Sequence, residues 1–279
     1  MDSQLTLTHH IEPFDKYDEF LINEVLMIVQ NSNVLPVVSF WSHTKFNIEK
    51  ADEKFFEKVY LAITALHKAN AHRRNYHKIK EDIFQEIKNS SDIQNTNVDI
   101  LFNKVDAFVI IEGFLTQIKT SLDLLAQSLK PIFNQDFRTW ERSTEQSSGK
   151  VFSGMKLVKV LSTNLPDEIK PHALPLIEYI KENAEYITQV VENRDAAVHY
   201  GKNNKIQGFR YSVEKKDVFY PMIKISETEA RYVHQYMDVV MESISNFTQT
   251  FVIIILSNLL NDMHIAKNSD GSWGYVKNG

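Results

Sequence analysis

No cysteine occurs among the 279 residues, which excludes a disulfide framework and any thiolate metal site. Eight glycines and seven prolines are few for this length, and long stretches contain neither, a composition that favours helix. No apolar run approaches the roughly 20 residues of a membrane span. The greasiest, Phe251 to Leu256, is followed at once by Ser257 and Asn258. The opening residues, MDSQLTLTHHIEP, have neither the basic nor the apolar region of a signal peptide. A soluble, cytoplasmic protein is the expectation. Positive charge is also scarce, with 31 Lys and Arg against 36 Asp and Glu. That balance argues against indiscriminate coating of nucleic acid and leaves room for a local basic site.

What is present is apolar spacing of helical period. At 43% apolar content, the chain can bury a substantial core as one large helical domain or two closely packed ones. Phe14, Tyr17, Leu21, Val25 and Ile28 form a first stripe, and Val34–Trp41 reads as a loop or brief strand. Phe55, Val59, Ala62, Leu66 and Ala69 mark a helix from about residue 49 to 87. Its middle is basic: His67, Lys68, His72, Arg73, Arg74, His77, Lys78 and Lys80. That run is either a phosphate-contacting face or a solvated helix surface. The histidines recur every five residues, which rotates them around the helix and does not align them for a metal.

The longest pattern is Leu101, Val105, Phe108, Ile111, Leu115, Ile118, Leu122, Leu125 and Leu129. It predicts a rod over 97–130, about 50 Å long at the usual rise, stopped by Pro131 and central to a bundle. Asp123 sits beside that seam, either solvated or placed to orient a catalytic group. Residues 132–149 read as a surface connection held by Phe137 and Trp140. A short helix over 150–161 precedes Pro166, Pro171 and Pro175, with Pro175 suited to a helix's first turn. Ile206–Val213 and Val218–Ile225 flank Glu214-Lys215-Lys216-Asp217 as a β-hairpin. Ser226 and Glu229 form a capping box opening a last helix along Ala230, Val233, Met237, Val240, Ile244, Phe247, Phe251 and Ile254. Around Phe251–Leu256 it is apolar on all sides, which requires full burial or a subunit interface. The tail from Ala266 reads as disordered.

The stretch that departs from simple packing is Ile187–Gly201, ITQVVENRDAAVHYG. The seam Ile177, Ile180, Ala184, Ile187, Val191 continues in steps of three and four to Arg194, so a guanidinium falls where an aliphatic is expected. A charge on a packing face is costly unless paired. His199 follows at the helix end, and Lys202, Lys205 and Arg210 lie just beyond. The simplest account is that Arg194 satisfies helix carbonyls or a buried carboxylate, with His199 as a dipole partner.

Arg194-Asp195-Ala196-Ala197-Val198-His199 also resembles the signature of the HEPN superfamily. That signature is an arginine, four to six residues and a histidine, with Asn, Asp or His directly after the arginine. Here four residues intervene and Asp195 fills the polar slot. The resemblance covers roughly residues 97–264, with residues 1–96 as a helical region packed on the bundle and 265–279 as the tail. One branch of the superfamily carries a tyrosine two residues after the histidine; here Tyr200 follows His199 directly and Gly201 takes that second place.

The resemblance implies an all-α fold: a helical bundle of the HEPN type with long central helices and one small β-hairpin insertion at about 206–225. It implies a homodimer whose motifs meet at a cleft, and a metal-independent endoribonuclease of a prokaryotic defence or toxin–antitoxin system, with RNA as substrate and an antitoxin protein as possible partner. No cofactor or metal is called for. Arg194 would bind the scissile phosphate, His199 would act as acid–base, and Asp195 would hold the arginine or the helix end. Lys202, Lys205 and Arg210 would track the RNA backbone. On an ideal helix Arg194 and His199 lie about 140° apart, a poor pair within one chain that two facing copies would improve. The alternatives are a catalytically inactive HEPN-like module that binds RNA, a nucleotide or a protein, and a structural oligomer built on Phe251–Leu256.

Overall fold

A computed structural model describes residues 51–140, 152–167, 170–198, 205–225, 228–257, 263–267 and 273–277. The stripe from Phe14 to Ile28, the Val34–Trp41 segment, His199, Lys202 and Ser226 lie outside the described residues. What is described is mostly helical, with small antiparallel sheets. No described helix is long and apolar enough to cross a membrane.

Helix α1, Ala51–Lys88, is the longest described element, about 57 Å at 1.5 Å per residue. Phe55, Val59, Ala62, Leu66 and Ala69 are all buried along it. The short α2, Ser91–Gln94, then leads to strand β1, Ile100–Phe102, and to helix α3, Val105–Ser128. Lys104 reaches back to Glu86 at 2.6 Å, while Gly113 faces the His72 ring. Those two contacts fix α1 and α3 as antiparallel neighbours.

Gly113 is a close-approach position, since a Cβ there would stand 2.5 Å from the His72 ring. Through α3 the seam Ile111, Leu115, Ile118, Leu122, Leu125 is buried. The predicted rod is shorter at its start, because Ile100–Phe102 is strand and Leu101 and Val105 are exposed. Leu101 has the helical spacing but sits on the outer face of a sheet, where tertiary pairing overrides the local pattern.

Pro131 does not end the helical path. It occupies the first turn of α4, Lys130–Phe133, where its missing N–H is harmless. The left-handed Asn134, φ 49°, ends that turn. The connection that follows is anchored by Phe137 and Trp140, both buried. Trp140 leans on Gly154, whose φ of 93° and 2.7 Å clearance to the indole Nε1 leave no room for a side chain.

Helix α5, Met155–Thr163, is followed by α6, Lys170–Glu182, and α7, Ala184–Val198. Pro171 stands in the first turn of α6, and Pro175 lies inside it, not at its start. Asn183 separates α6 from α7: its side-chain amide donates to the Tyr179 carbonyl at 2.9 Å, and its own carbonyl accepts from Ile187 N–H at 3.0 Å.

The predicted hairpin is present but divided between two sheets. Strands β2 (Ile206–Gln207), β3 (Phe209–Ser212), β4 (Asp217–Phe219), β5 (Met222–Lys224) and β6 (Ala230–Tyr232) form orders β1-β3-β4 and β2-β5-β6. Arg210 pairs with Phe219 and Tyr211 with Val218 across the turn. A Cβ on Gly208 would sit 2.5 Å from the Phe102 carbonyl oxygen, so glycine there is what lets β1 approach β3.

Ala230–Tyr232 is strand, which corrects the expected helix start. Helix α8, Val233–Ser257, begins where the Val233 N–H donates to the Pro221 carbonyl at 2.9 Å. Glu229 accepts from Arg231 at 2.8 Å.

From Val233 onward the seam is buried as read, while Ala230, its expected opening residue, is exposed; Phe247 stacks on Tyr179 with centroids 5.2 Å apart. Phe251, Val252, Ile254 and Ile255 are buried within this one chain. Of the two expected roles for that run, these four residues take the first, burial in the core. In the stretch read as disordered, strands β7 (Met263–Lys267) and β8 (Trp273–Lys277) pair antiparallel, Met263 opposite Lys277 and Lys267 opposite Trp273.

Candidate functional site

Arg194 stands in the last turn of α7. The buried line of that helix is Ile187, Val190, Val191, Asn193 and Ala197. Arg194 is therefore not on the packing face but at its margin, with its side chain 28% exposed. The seam through Ala184, Ile187 and Val191 is buried as read, but beyond it the buried line runs from Val190 to Asn193 and Ala197, so a polar amide turns inward in place of the guanidinium.

Asn193 is 1% exposed and donates from Nδ2 to the Tyr236 hydroxyl of α8 at 2.9 Å. Its Oδ1 accepts from Lys205 Nζ at 3.3 Å, and the same ammonium lies 3.8 Å from Glu192. Burial pushes the Tyr236 hydroxyl's pKa far up, against the opposing pull of the Asn193 bond. This residue was missed in the sequence. The signal for it was there, a polar residue three steps beyond Val190 on the line from Ile187.

Arg194 Nη1 donates to Asp195 Oδ1 at 2.9 Å, while its buried Nε has no hydrogen-bond partner among the described residues. An ion pair this exposed contributes about 0–1 kcal/mol to stability; its effect is to fix the direction of the guanidinium. Lys205, tied to Asn193, brings a second cation beside the end of α7. Arg210 goes elsewhere: it lies on β3, half exposed, with Nη2 3.2 Å from Asp99. The structure thus brings together Arg194 and Asp195, with Lys205 held by Asn193 and Glu192 of the same helix and Arg210 on strand β3.

The basic run of α1 divides by direction. Arg73 Nη1 and His77 Nε2 both meet Asp238 Oδ1 of α8, at 2.8 and 2.9 Å. Arg73, 11% exposed, also donates to Asn70 at 2.8 Å. These two cationic positions are an interhelical tie and not a free phosphate face.

His234 lies next to them, its ring 6.0 Å from that of His77 and stacked on Tyr232, with a buried Nδ1 that has no hydrogen-bond partner among the described residues. Burial first, then the charges of Lys80 and His77, hold its pKa below the ordinary value, with Asp238 opposing. Asp123 does not orient a catalytic group: it pairs with Lys119 and accepts the Trp140 backbone N–H at 2.7 Å.

Comparison with protein-family models, with curated proteins and with solved structures returns no match for this chain. A functional reading of the molecule therefore rests on these residues and their chemistry.

Proposed function

We propose that this chain is a metal-independent endoribonuclease of HEPN type, acting as a homodimer in a prokaryotic defence or toxin–antitoxin system. The observation that carries the reading is the guanidinium of Arg194. It is oriented by Asp195 through Nη1 and partly exposed, in the last turn of a helix whose Asn193 holds the cation Lys205. A guanidinium whose fold role is that small, yet whose direction is fixed, suits an anion that arrives from outside.

In the reaction, His199 takes the proton of a ribose 2′-hydroxyl. The freed oxygen attacks the adjacent phosphorus, and the 5′-oxygen leaves with a proton, giving a 2′,3′-cyclic phosphate and a 5′-hydroxyl end. Arg194 stabilises the charge that grows on the phosphorane oxygens.

The test is incubation of the purified protein with a mixed RNA pool, with and without EDTA, beside Arg194→Ala and His199→Ala. Cutting that persists in EDTA and disappears in both variants, at unchanged helical circular dichroism, is the expected result. No cutting, with a mobility shift retained, would replace the enzyme by an RNA-binding module. Full activity in either variant would remove the site.

A further inference from the structure

Two histidines face each other where α1 meets the start of α8. The His234 ring lies edge-on to that of His77 at 6.0 Å and to Tyr220 at 5.5 Å, and stacks on Tyr232 at 5.6 Å. His77 directs Nε2 to Asp238 Oδ1 at 2.9 Å, an oxygen that also accepts from Arg73 at 2.8 Å. The buried Nδ1 of His234 meets no acceptor among the described residues.

The charged groups around these rings are matched while both histidines are neutral. From α1 come Arg73, Lys80 and Glu81, and from α8 comes Asp238. The sheet contributes the phenols of Tyr220 and Tyr232; Glu81 accepts the Tyr220 hydroxyl at 2.6 Å, and Lys80 Nζ lies 4.7 Å above that ring. A proton added to His234 is a further positive charge on a part-buried ring near Lys80 and His77, which only Asp238 opposes among the groups acting on it. The face of Tyr232 returns part of that cost, but a charged N–H without an acceptor loses more.

The strand leading into His234 is lightly held. β6 is the edge of its sheet, three residues long, with Ala230 and Arg231 exposed, and it joins α8 where the Val233 N–H meets the Pro221 carbonyl. Just beyond, Tyr236 and Met237 are in the core, and Tyr236 holds Asn193. Asp238 keeps its bonds to Arg73 and His77 there, so α1 stays attached past the first turn of α8.

We propose that this cluster is an acid-sensitive latch: a proton on His234 frees β6 and the first turn of α8, while the rest of α8 stays in the core. In the freed form the ring reaches water, where it holds a proton more readily than in the closed form, so acid draws the equilibrium toward release. His72, packed on Gly113 between α1 and α3, remains covered, and the release takes up one proton.

The test is amide hydrogen exchange on the full-length protein, corrected for the intrinsic effect of pH on the rate. Between about pH 7.5 and about pH 5.5, the protection of Val233 and β6 is expected to fall by at most about tenfold per pH unit, the limit for one proton. It is expected to be insensitive to low urea, because freeing a short strand exposes little surface, whereas the amides of α3 follow the urea dependence of global unfolding. His234→Phe keeps a stacked ring and takes no proton, so in that variant the fall with acid should disappear from these amides.

Val233 and β6 amides that share the urea dependence of α3 would show that no separate release exists, and overturn the latch. A fall with acid that persists in His234→Phe, or protection that does not fall at all, would do the same. Should that variant fail to fold, the ring resonances of the wild-type protein decide. Titration of His234 below the ordinary 6.5 in the folded protein supports the latch, and titration at or above it refutes it.

Discussion

Asn193 on α7 and Tyr236 on α8 share a hydrogen bond of 2.9 Å inside the core, one residue before Arg194. This bond sets the rotation of α7. With the amide of Asn193 held inward, Arg194 is carried to the margin of the packing face, and Lys205 is held at Asn193.

Asn193→Ala leaves the buried Tyr236 hydroxyl without a partner and releases Lys205. The expected loss is about 1–3 kcal/mol of stability, read as a lower midpoint in urea or heat. RNA cleavage should fall as well, at a temperature where the variant is still folded, because the guanidinium loses its reference. A variant of wild-type stability would show that the bond does not position α7.

Asp238 couples α1 to α8, and its removal carries a different signature. Asp238→Asn keeps the shape but leaves Arg73, 11% exposed, without its carboxylate. A loss of about 1.5–3 kcal/mol is expected from a hydrogen bond to a charged group. The helix content of the folded form should be unchanged.

The histidine beside this pair predicts the pH dependence. Burial holds His234 below the ordinary value of 6.5, and partial burial lowers His72, packed against Gly113, too. The folded protein therefore binds fewer protons at these rings than the unfolded chain does. Stability rises with pH across this range and declines as the pH drops from above 6.5 toward the depressed values. Thermal melts at a series of pH values should show that decline, and His234→Gln should make it shallower. A melting point that rises on acidification would contradict the assignment.

Gly208→Ala tests the attachment of β1. The added Cβ would meet a backbone oxygen, that of Phe102, at 2.5 Å, and the Asn103 side chain at 2.6 Å. A backbone atom cannot swing aside, so β1 must separate from β3. A cost of about 1–3 kcal/mol is expected, as for overpacking elsewhere. Amide exchange should quicken at Ile100–Phe102 before it does along α3.

Much of this was legible along the chain, and what was not has physical reasons. The stripes of α1 and α8, the anchors Phe137 and Trp140 and the turn at 214–217 follow from local spacing. Leu101 misled because its spacing fits a helix, while its strand exists only through pairing with β3, far along the sequence. Arg73 and His77 looked like a free basic face because their acid, Asp238, stands more than 160 residues away. The tail carried a readable signal in Asp270-Gly271 between Ile265 and Tyr275, a turn dipeptide flanked by strand formers. At the site, the arginine and its polar follower were evident, but the inward turn of Asn193 depends on Tyr236, 43 residues along the sequence.

The last prediction concerns how the proposed site is assembled. Five positions separate Arg194 from His199, about 140° around an ideal helix, so one chain offers a poor catalytic pair and two facing chains a better one. Suppose Arg194→Ala and His199→Ala chains are mixed, unfolded and refolded together. If each site takes its arginine from one chain and its histidine from the other, a mixed dimer holds one intact pair. Random association makes roughly half of the dimers mixed, so about a quarter of wild-type activity should return. If each site uses its own chain's pair, every mixed dimer has two broken sites and nothing returns. The check is cleavage of a labelled RNA by the refolded mixture, with light scattering and differently tagged chains to establish that mixed dimers are present. Mixed dimers without activity would rule out the shared site and leave the single-chain arrangement, for which the two alanine variants alone are the test. A chain that stays monomeric at working concentration would remove the two-fold cleft, and with it the geometry on which the shared pair depends.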